Sequence, residues 1–218
     1  TFILITGVAL PTALTKFASE RLGKNQPQEA ASILTAVTKA VVVLSFAGYI
    51  VTACLASYFS QFLFGTYIYS SLIIMILIHA FLFSIITLCK SILQALYLFG
   101  KMAILTITFI VASRVAGAAL AFNMGLTGVL IGYLAGSLAA LAVALIFIKG
   151  KLPQPTRDTS FKPILAFSLP LFLTNLTLLI LSWSDIIVVR FITLDYSLTG
   201  IYYIVVNSIS ALSILWIP

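Results

Sequence analysis

The chain has 218 residues, of which 62% are hydrophobic and 8% charged, with a mean hydropathy of +1.21. Soluble domains carry about 25% charged residues, so these values exclude a water-soluble globular domain and predict an integral membrane chain. Twelve Lys and Arg against five Asp and Glu give a net charge of +7, but the basic residues are scattered along the flanks of apolar runs and form no patch, which argues against a nucleic-acid partner.

Residues 40–89, 115–148 and 163–184 contain no Asp, Glu, Lys or Arg. A helix crosses the hydrocarbon layer with roughly 20 apolar residues, and the order of runs and breakers predicts seven spans. The first covers about 1–20 and ends in a basic connection, Arg21 to Gln28, broken by Gly23 and Pro27. The second starts near Glu29 and runs to about Tyr58. Gln61 to Thr66 is expected to be a short uncharged turn. The third span covers about 67–90 and continues as a helix toward Phe99, with Gly100 as its breaker. The fourth, about 102–122, joins the fifth, about 128–148, through the turn Asn123 to Gly128. Lys149 to Lys162, with Gly150, Pro153 and Pro155, is the most polar stretch. The sixth span, about 163–189, and the seventh, about 197–217, are joined by Arg190 to Leu198. The fold class expected is all-α, a polytopic transmembrane helix bundle, because backbone groups in lipid must be paired within each segment and the runs lack the alternation of barrel strands.

Nine of the twelve basic residues lie in or beside every second connection: Lys16, Arg21, Lys24, Lys90, Lys101, Lys149, Lys151, Arg157 and Lys162. Basic connections stay in the cytoplasm, so the asymmetry orients the chain. Lys16 and Glu20, four residues apart, are expected to pair. Cys54 and Cys89 fall in different spans with neither disulfide nor metal-ligand spacing, and are read as packing residues. There is no initiating Met, and Thr1 opens inside an apolar run, so an internal piece of a longer protein is expected.

Within the spans, a few polar residues stand out. Arg114 lies near the middle of the fourth span among Ile110, Val111, Gly117 and Ala118. A mid-membrane Arg costs about 2.5–3.5 kcal/mol on insertion scales and so should face a partner or a wet cavity. Asp185 is the only acid well inside an apolar run, and Ser168, Asn175 and Ser182 form a stripe leading to it. Such a stripe suits either a helix lining a polar path or hydrogen bonding between helices. Asn207 shares a face with Tyr203 on the seventh span. Lys39 is near enough to the cytoplasm to snorkel, or to stand at the inner mouth of a cavity. His79 sits mid-span with no acid on its face, as a packing histidine or a proton relay. Pro11 and Pro170 interrupt their spans and are candidate hinges. Gly128, Gly132 and Gly136 repeat at small-residue spacing, matched by Ser113, Gly117 and Ala121 on the preceding span, and predict a close-packed hairpin. No catalytic triad, zinc motif or phosphate loop occurs, so no enzyme activity and no cofactor are expected.

Three segments carry a resemblance. LPTALTKFASERLGK at 10–24, followed by Glu29-Ala-Ala, has a small-residue and basic pattern ending in Leu-Gly-Lys. FSLPLFLTN at 167–175 runs on to SDIIVVRF at 184–191, with a Leu-Pro entry and a late acid. LTGIYY occupies 198–203. In this order the chain resembles the polysaccharide-exporter branch of the multidrug/oligosaccharidyl-lipid/polysaccharide flippase superfamily. The resemblance implies twelve or fourteen spans in two pseudo-symmetric lobes, of which this chain holds spans two to eight. Residues 1–149 would be most of the amino-terminal lobe, 150–162 a cytoplasmic inter-lobe linker, and 163–218 the start of the carboxy-terminal lobe. It also implies a multi-pass carrier in the cytoplasmic membrane that flips a lipid-linked oligosaccharide by alternating access, with membrane lipids and polysaccharide assembly proteins as partners. Arg114 and Lys39 would then attract the anionic head group, and Asn175, Asn207 and Asp185 would line the sugar path. Two other readings are a cation-coupled antiporter of the same superfamily, for which the amino-terminal lobe lacks a mid-membrane acid, and a non-transporting scaffold of a polysaccharide assembly complex.

Overall fold

A computed structural model describes residues 9–150 and 160–213, with side chains placed through residue 209. Among the described residues the chain is all-α. Helix α1 is Leu10–Gly23, α2 Pro27–Cys54, α3 Ala56–Phe64, α4 Ser70–Ala95, α5 Phe99–Ile148, α6 Lys162–Thr193 and α7 Tyr196–Ser213. Four of them, α2, α4, α5 and α6, are long and apolar enough to cross a membrane. Helix α5 is two helices in one: Gly125 has φ 55° and ψ −134°, a conformation open to glycine because it lacks a Cβ, and there the chain folds back on itself. The expected turn at 123–128 is thus reduced to one residue.

The basic end of α1 is built from local chemistry. Asn25 takes a left-handed φ of 56°, which Asn tolerates better than most side chains, and so turns the chain into α2. Pro27 opens α2 in its first turn, where a missing N–H breaks no hydrogen bond. Arg21 bridges the turn, donating to Gln26 Oε1 at 3.0 Å and pairing with Glu29 at 2.9 Å. Lys24 donates to Glu20 at 2.6 Å. The pairing expected for Lys16 with Glu20 is therefore taken by Lys24, while the Lys16 ammonium lies 3.9 Å from the ring centre of Phe167. A cation over an aromatic face is held by the ring quadrupole.

Several boundaries differ from the sequence expectation. The second span ends at Cys54, and the residues expected to form an outer turn continue as α3 to Phe64. Ser60 sits buried there and donates to the Thr66 carbonyl at 2.6 Å, and Gly65, with φ 68°, closes the helix. Gly100 does not break anything; it lies in the first turn of α5. The break falls at Tyr97, with φ 57°, whose hydroxyl donates to the Ser19 carbonyl at 3.3 Å. That long-range contact and the close of α4 override the glycine. Pro11 is corrected likewise. It stands in the first turn of α1, behind Ala9 in a left-handed conformation, so it starts a helix and does not kink one. Pro170 does lie inside α6.

Compactness divides the chain into two units, residues 1–172 and 173–218. In the first, α4 is the hub, contacting α1, α2, α3 and α5. One cluster joins Leu10, Leu14, Val37, Leu88 and Ile92 with Ile164 from the start of α6; a second joins Ile86, Cys89 and Leu93 to Leu105, Ala140 and Ala144. Residues 81 and 84 of α4 meet α2, through Phe46 and Tyr49 on Phe81 and through Ser45 on Ser84. Residues 79 and 83 meet α5, through Phe109. By helical spacing these are opposite faces of α4.

Ser45 and Ser84 share a hydrogen bond of 2.8 Å and are 0% and 2% exposed. Truncating one leaves the other polar and buried without its partner, whereas removing both removes the need. Ser45→Ala is expected to destabilise by about 1–2 kcal/mol, and the Ser45→Ala, Ser84→Ala double variant by less than the single. A thermal melt in detergent checks the order of the two.

In the second unit, α6 and α7 meet at a tight joint. Leu194 has φ 52°, and Asp195 Oδ1 accepts from the Ser197 amide at 2.7 Å, satisfying an N–H that the new helix leaves open. Arg190, expected in the loop, is in the last turn of α6, with its guanidinium carbon 3.8 Å from the ring centre of Tyr196.

Candidate functional site: a charged network on the α5 hairpin

The close approach of the two α5 arms decides what can stand beside it. A Cβ placed on Gly132 would overlap the backbone of Gly117, one on Gly128 the carbonyl of Leu120, and one on Gly136 the backbone of Ser113. Backbones this near can be reached only with hydrogen at these positions. The contact aligns Arg114 on the outgoing arm with Tyr133 on the returning arm. Arg114 Nη1 donates to the Tyr133 hydroxyl at 2.7 Å, and the guanidinium carbon lies 5.4 Å from the centre of that ring.

The network continues into α4. The Tyr133 ring centre is 5.2 Å from that of His79. His79 Nδ1 is 3.0 Å from Ser137 Oγ, and Ser137, fully buried, donates to the Tyr133 carbonyl at 2.8 Å. Phe109 stacks on the imidazole at 6.2 Å and 10°, with Phe83 at 6.0 Å. Four polar groups from α4 and both arms of α5 are thus tied together, with an aromatic wall on one side.

Arg114 itself is exposed, on a face of the outgoing arm shared with Ile107, Val111, Val115 and Phe122, all exposed. It stands eleven residues before Gly125, or roughly 16 Å along the helix axis at 1.5 Å per residue. With the Gly125 turn at the membrane surface, that is near mid-membrane depth, too deep for a guanidinium to reach water simply by extending. The partner that holds it is a neutral phenol, so its charge is not cancelled. Neither an acid nor a metal-binding cluster occurs beside it among the described residues.

Lys39 is exposed on α2 among Val42, Val43 and Phe46, also exposed. It shares no hydrogen bond or ion pair with Arg114, since the two helices pack on opposite sides of α4. In the second unit, Asp185 accepts from the Tyr202 hydroxyl at 3.2 Å and from the Ile186 amide at 2.9 Å. Asn207 is exposed and turns its amide back to the Tyr203 carbonyl at 2.8 Å. Trp183 and Tyr203 stack at 6.1 Å and 17°. Asn175 is half-buried. Two members of the polar stripe bond their own helix, Ser168 to the Ile164 carbonyl and Ser182 to the Leu178 carbonyl. Asp185 and Asn207 therefore have separate partners. The pairing of Tyr133 with Arg114 is foreshadowed in the sequence only by the shared small-residue spacing of the two arms.

These features define a polytopic α-helical membrane protein with an exposed, unpaired positive charge partway along a long apolar helix of its amino-terminal unit. The chain belongs to the polysaccharide biosynthesis protein family, whose sequence model matches residues 1–218. No curated protein and no solved structure gives a significant match.

Proposed function

We propose that this chain is part of a carrier that flips or exports a lipid-linked oligosaccharide across the cell membrane, by alternating access and without a resident cofactor or an enzymatic step. The observation that carries the reading is the uncancelled Arg114 guanidinium at mid-membrane depth, oriented by Tyr133. A lipid-linked sugar presents a phosphate or pyrophosphate, and a guanidinium offers planar donors that match those oxygens two at a time. Tyr133 engages Nη1 and fixes the plane of the group. Membership of a polysaccharide biosynthesis family supports a glycan substrate. Lys39, on the same unit, would add positive charge nearer the basic connections, and Asn175, Asp185 and Asn207 would offer hydrogen bonds to sugar hydroxyls.

The test is a flipping assay. The whole protein is reconstituted in vesicles holding a fluorescent lipid-linked glycan, and the label exposed on each leaflet is followed with time. Transfer well above that of empty vesicles is expected; transfer at the empty-vesicle rate would favour a scaffold of the assembly machinery instead.

A further inference from the structure

The one hydrogen of the Ser137 hydroxyl has two groups within reach, the Tyr133 carbonyl and His79 Nδ1. The carbonyl, at 2.8 Å, is the nearer of the two and can only accept. With the hydrogen given to the carbonyl, Ser137 Oγ accepts from His79, 3.0 Å away, and Nδ1 carries the imidazole hydrogen. Ser137 is fully buried, so no solvent competes for either bond. In that arrangement the basic nitrogen of the ring is Nε2, the one that can take up a proton.

We infer that His79 is a proton-binding site that regulates the anion site at Arg114, with Tyr133 as the shared wall between them; this rests on the carrier reading above. The imidazole and the guanidinium each lie within 5.4 Å of the centre of the Tyr133 ring, hence within about 11 Å of one another, close enough to interact at a protein-like dielectric. The groups that face His79 are few. From α5 Tyr133 packs against it, and Arg114 is bonded to Tyr133; α5 otherwise carries Lys101, and α4 carries Lys90, both toward the basic end. Neither helix holds an acid. A proton on Nε2 thus adds a positive charge that no carboxylate absorbs, and it strengthens the field on an anion bound at Arg114. By linkage, a bound anion strengthens proton uptake by the same factor.

The experiment measures binding of a short isoprenyl diphosphoglucose to the whole protein in nanodiscs between pH 5.5 and 8.5, a range in which the diester-type probe keeps constant charge. Wild type is expected to bind roughly five- to tenfold tighter at the acid end, the size of one added charge at this separation. His79→Gln, whose amide can still donate to Ser137, is expected to bind with no pH dependence; a wild-type slope in that variant overturns the proposal. In parallel, nitrogen-15 spectra of histidine-labelled protein, with His79 identified by its loss in His79→Gln, read the tautomer and the titration directly. A neutral ring protonated on Nε2 overturns the proposal without any variant. If the probe binds at no pH, the carrier reading fails, and the link between the two groups is decided by Arg114→Gln. A shift in the His79 titration in the sense Coulomb's law requires for losing a nearby positive charge supports it, and coincident curves overturn it.

Discussion

Replacing Gly132 with leucine is expected to prevent the two arms of α5 from closing, and with them the amino-terminal unit from forming its second hydrophobic cluster. The first atom of any side chain at this position meets the backbone of Gly117 on the opposing arm. A flexible neighbour could turn aside, but backbone cannot, so the arms must move apart along their whole length. Overpacking a core by extra methylenes typically destabilises by about 1–3 kcal/mol. Gly132→Ala should lie at the upper end of that range, and the leucine, which adds three carbons more, beyond it. A matched control is Gly100→Ala. An added Cβ there meets nothing within 4 Å, and within a helix the change reduces the freedom of the unfolded chain, a gain of about 0.4–1 kcal/mol. The chain supplies its own reporter. Cys89 is 6% exposed in the cluster with Leu105, Ala140 and Ala144, whereas Cys54 is exposed. In a Cys54→Ser background, labelling of Cys89 by a thiol-reactive dye during heating reads the opening of the α4–α5 interface. Gly132→Leu should label at the lowest temperature, Gly132→Ala next, and Gly100→Ala no earlier than the parent. Labelling of Gly132→Ala at the parent temperature would show that the arms are not in contact.

The features most legible in the sequence were those governed by the membrane. Uncharged runs and a two-sided distribution of Lys and Arg follow from the transfer energies of side chains, which act at each residue independently of its neighbours. The spans over α2, α4, α6 and the two arms of α5 could be read that way. Break points were less legible, because they depend on which backbone groups find partners. Tyr97 accepts a left-handed conformation where Gly100, three residues on, was the stronger local signal. Pro11 looks the same in a one-dimensional pattern whether it starts a helix or bends one. Pairings were the least legible. Lys16 has both an acid four residues away and, across a long sequence gap, the ring of Phe167, and only the packed structure shows that the ring receives it. The same holds at the candidate site. Arg114 was conspicuous as a charge in an apolar run, but Tyr133, His79 and Ser137 each have an ordinary explanation when taken singly. What unites them is the register of the hairpin, set by three glycines that no polar residue advertises.

Arg114→Ala is expected to lower the rate of flipping by about ten- to a hundredfold, while leaving the folded protein at least as stable as before. The two effects have opposite signs because of where the residue sits. In the folded chain the guanidinium gains one hydrogen bond, to a neutral phenol, and an interaction with its ring. A hydrogen bond to a charged group contributes about 1.5–3 kcal/mol, and holding an Arg at the centre of a bilayer costs at least about 2.5–3.5 kcal/mol. Removing it thus relieves a penalty of the same size as the contacts it loses. A residue retained for structure would show the reverse, a clear loss of stability on truncation. The functional loss follows from the substrate. An alanine leaves the anionic head group without a charged donor at this depth, and a contribution of about 1.5–3 kcal/mol at the step that engages it corresponds to a rate factor in the range given. Conservative variants separate charge from geometry. Arg114→Lys keeps the charge but not the planar fork, and should retain more activity than the alanine and less than the parent. Tyr133→Phe keeps the charge and the ring and removes only the hydroxyl that orients Nη1, so it should weaken flipping by a smaller factor than Arg114→Ala. The variants are compared in vesicles at equal amounts of folded protein, with the thiol-labelling melt run on the same preparations. Near-normal flipping by a stably folded Arg114→Ala protein would remove Arg114 from the transport path. A fall in its melting temperature large enough to explain the lost activity would make the residue a structural one, with Tyr133 as its only reason for being there.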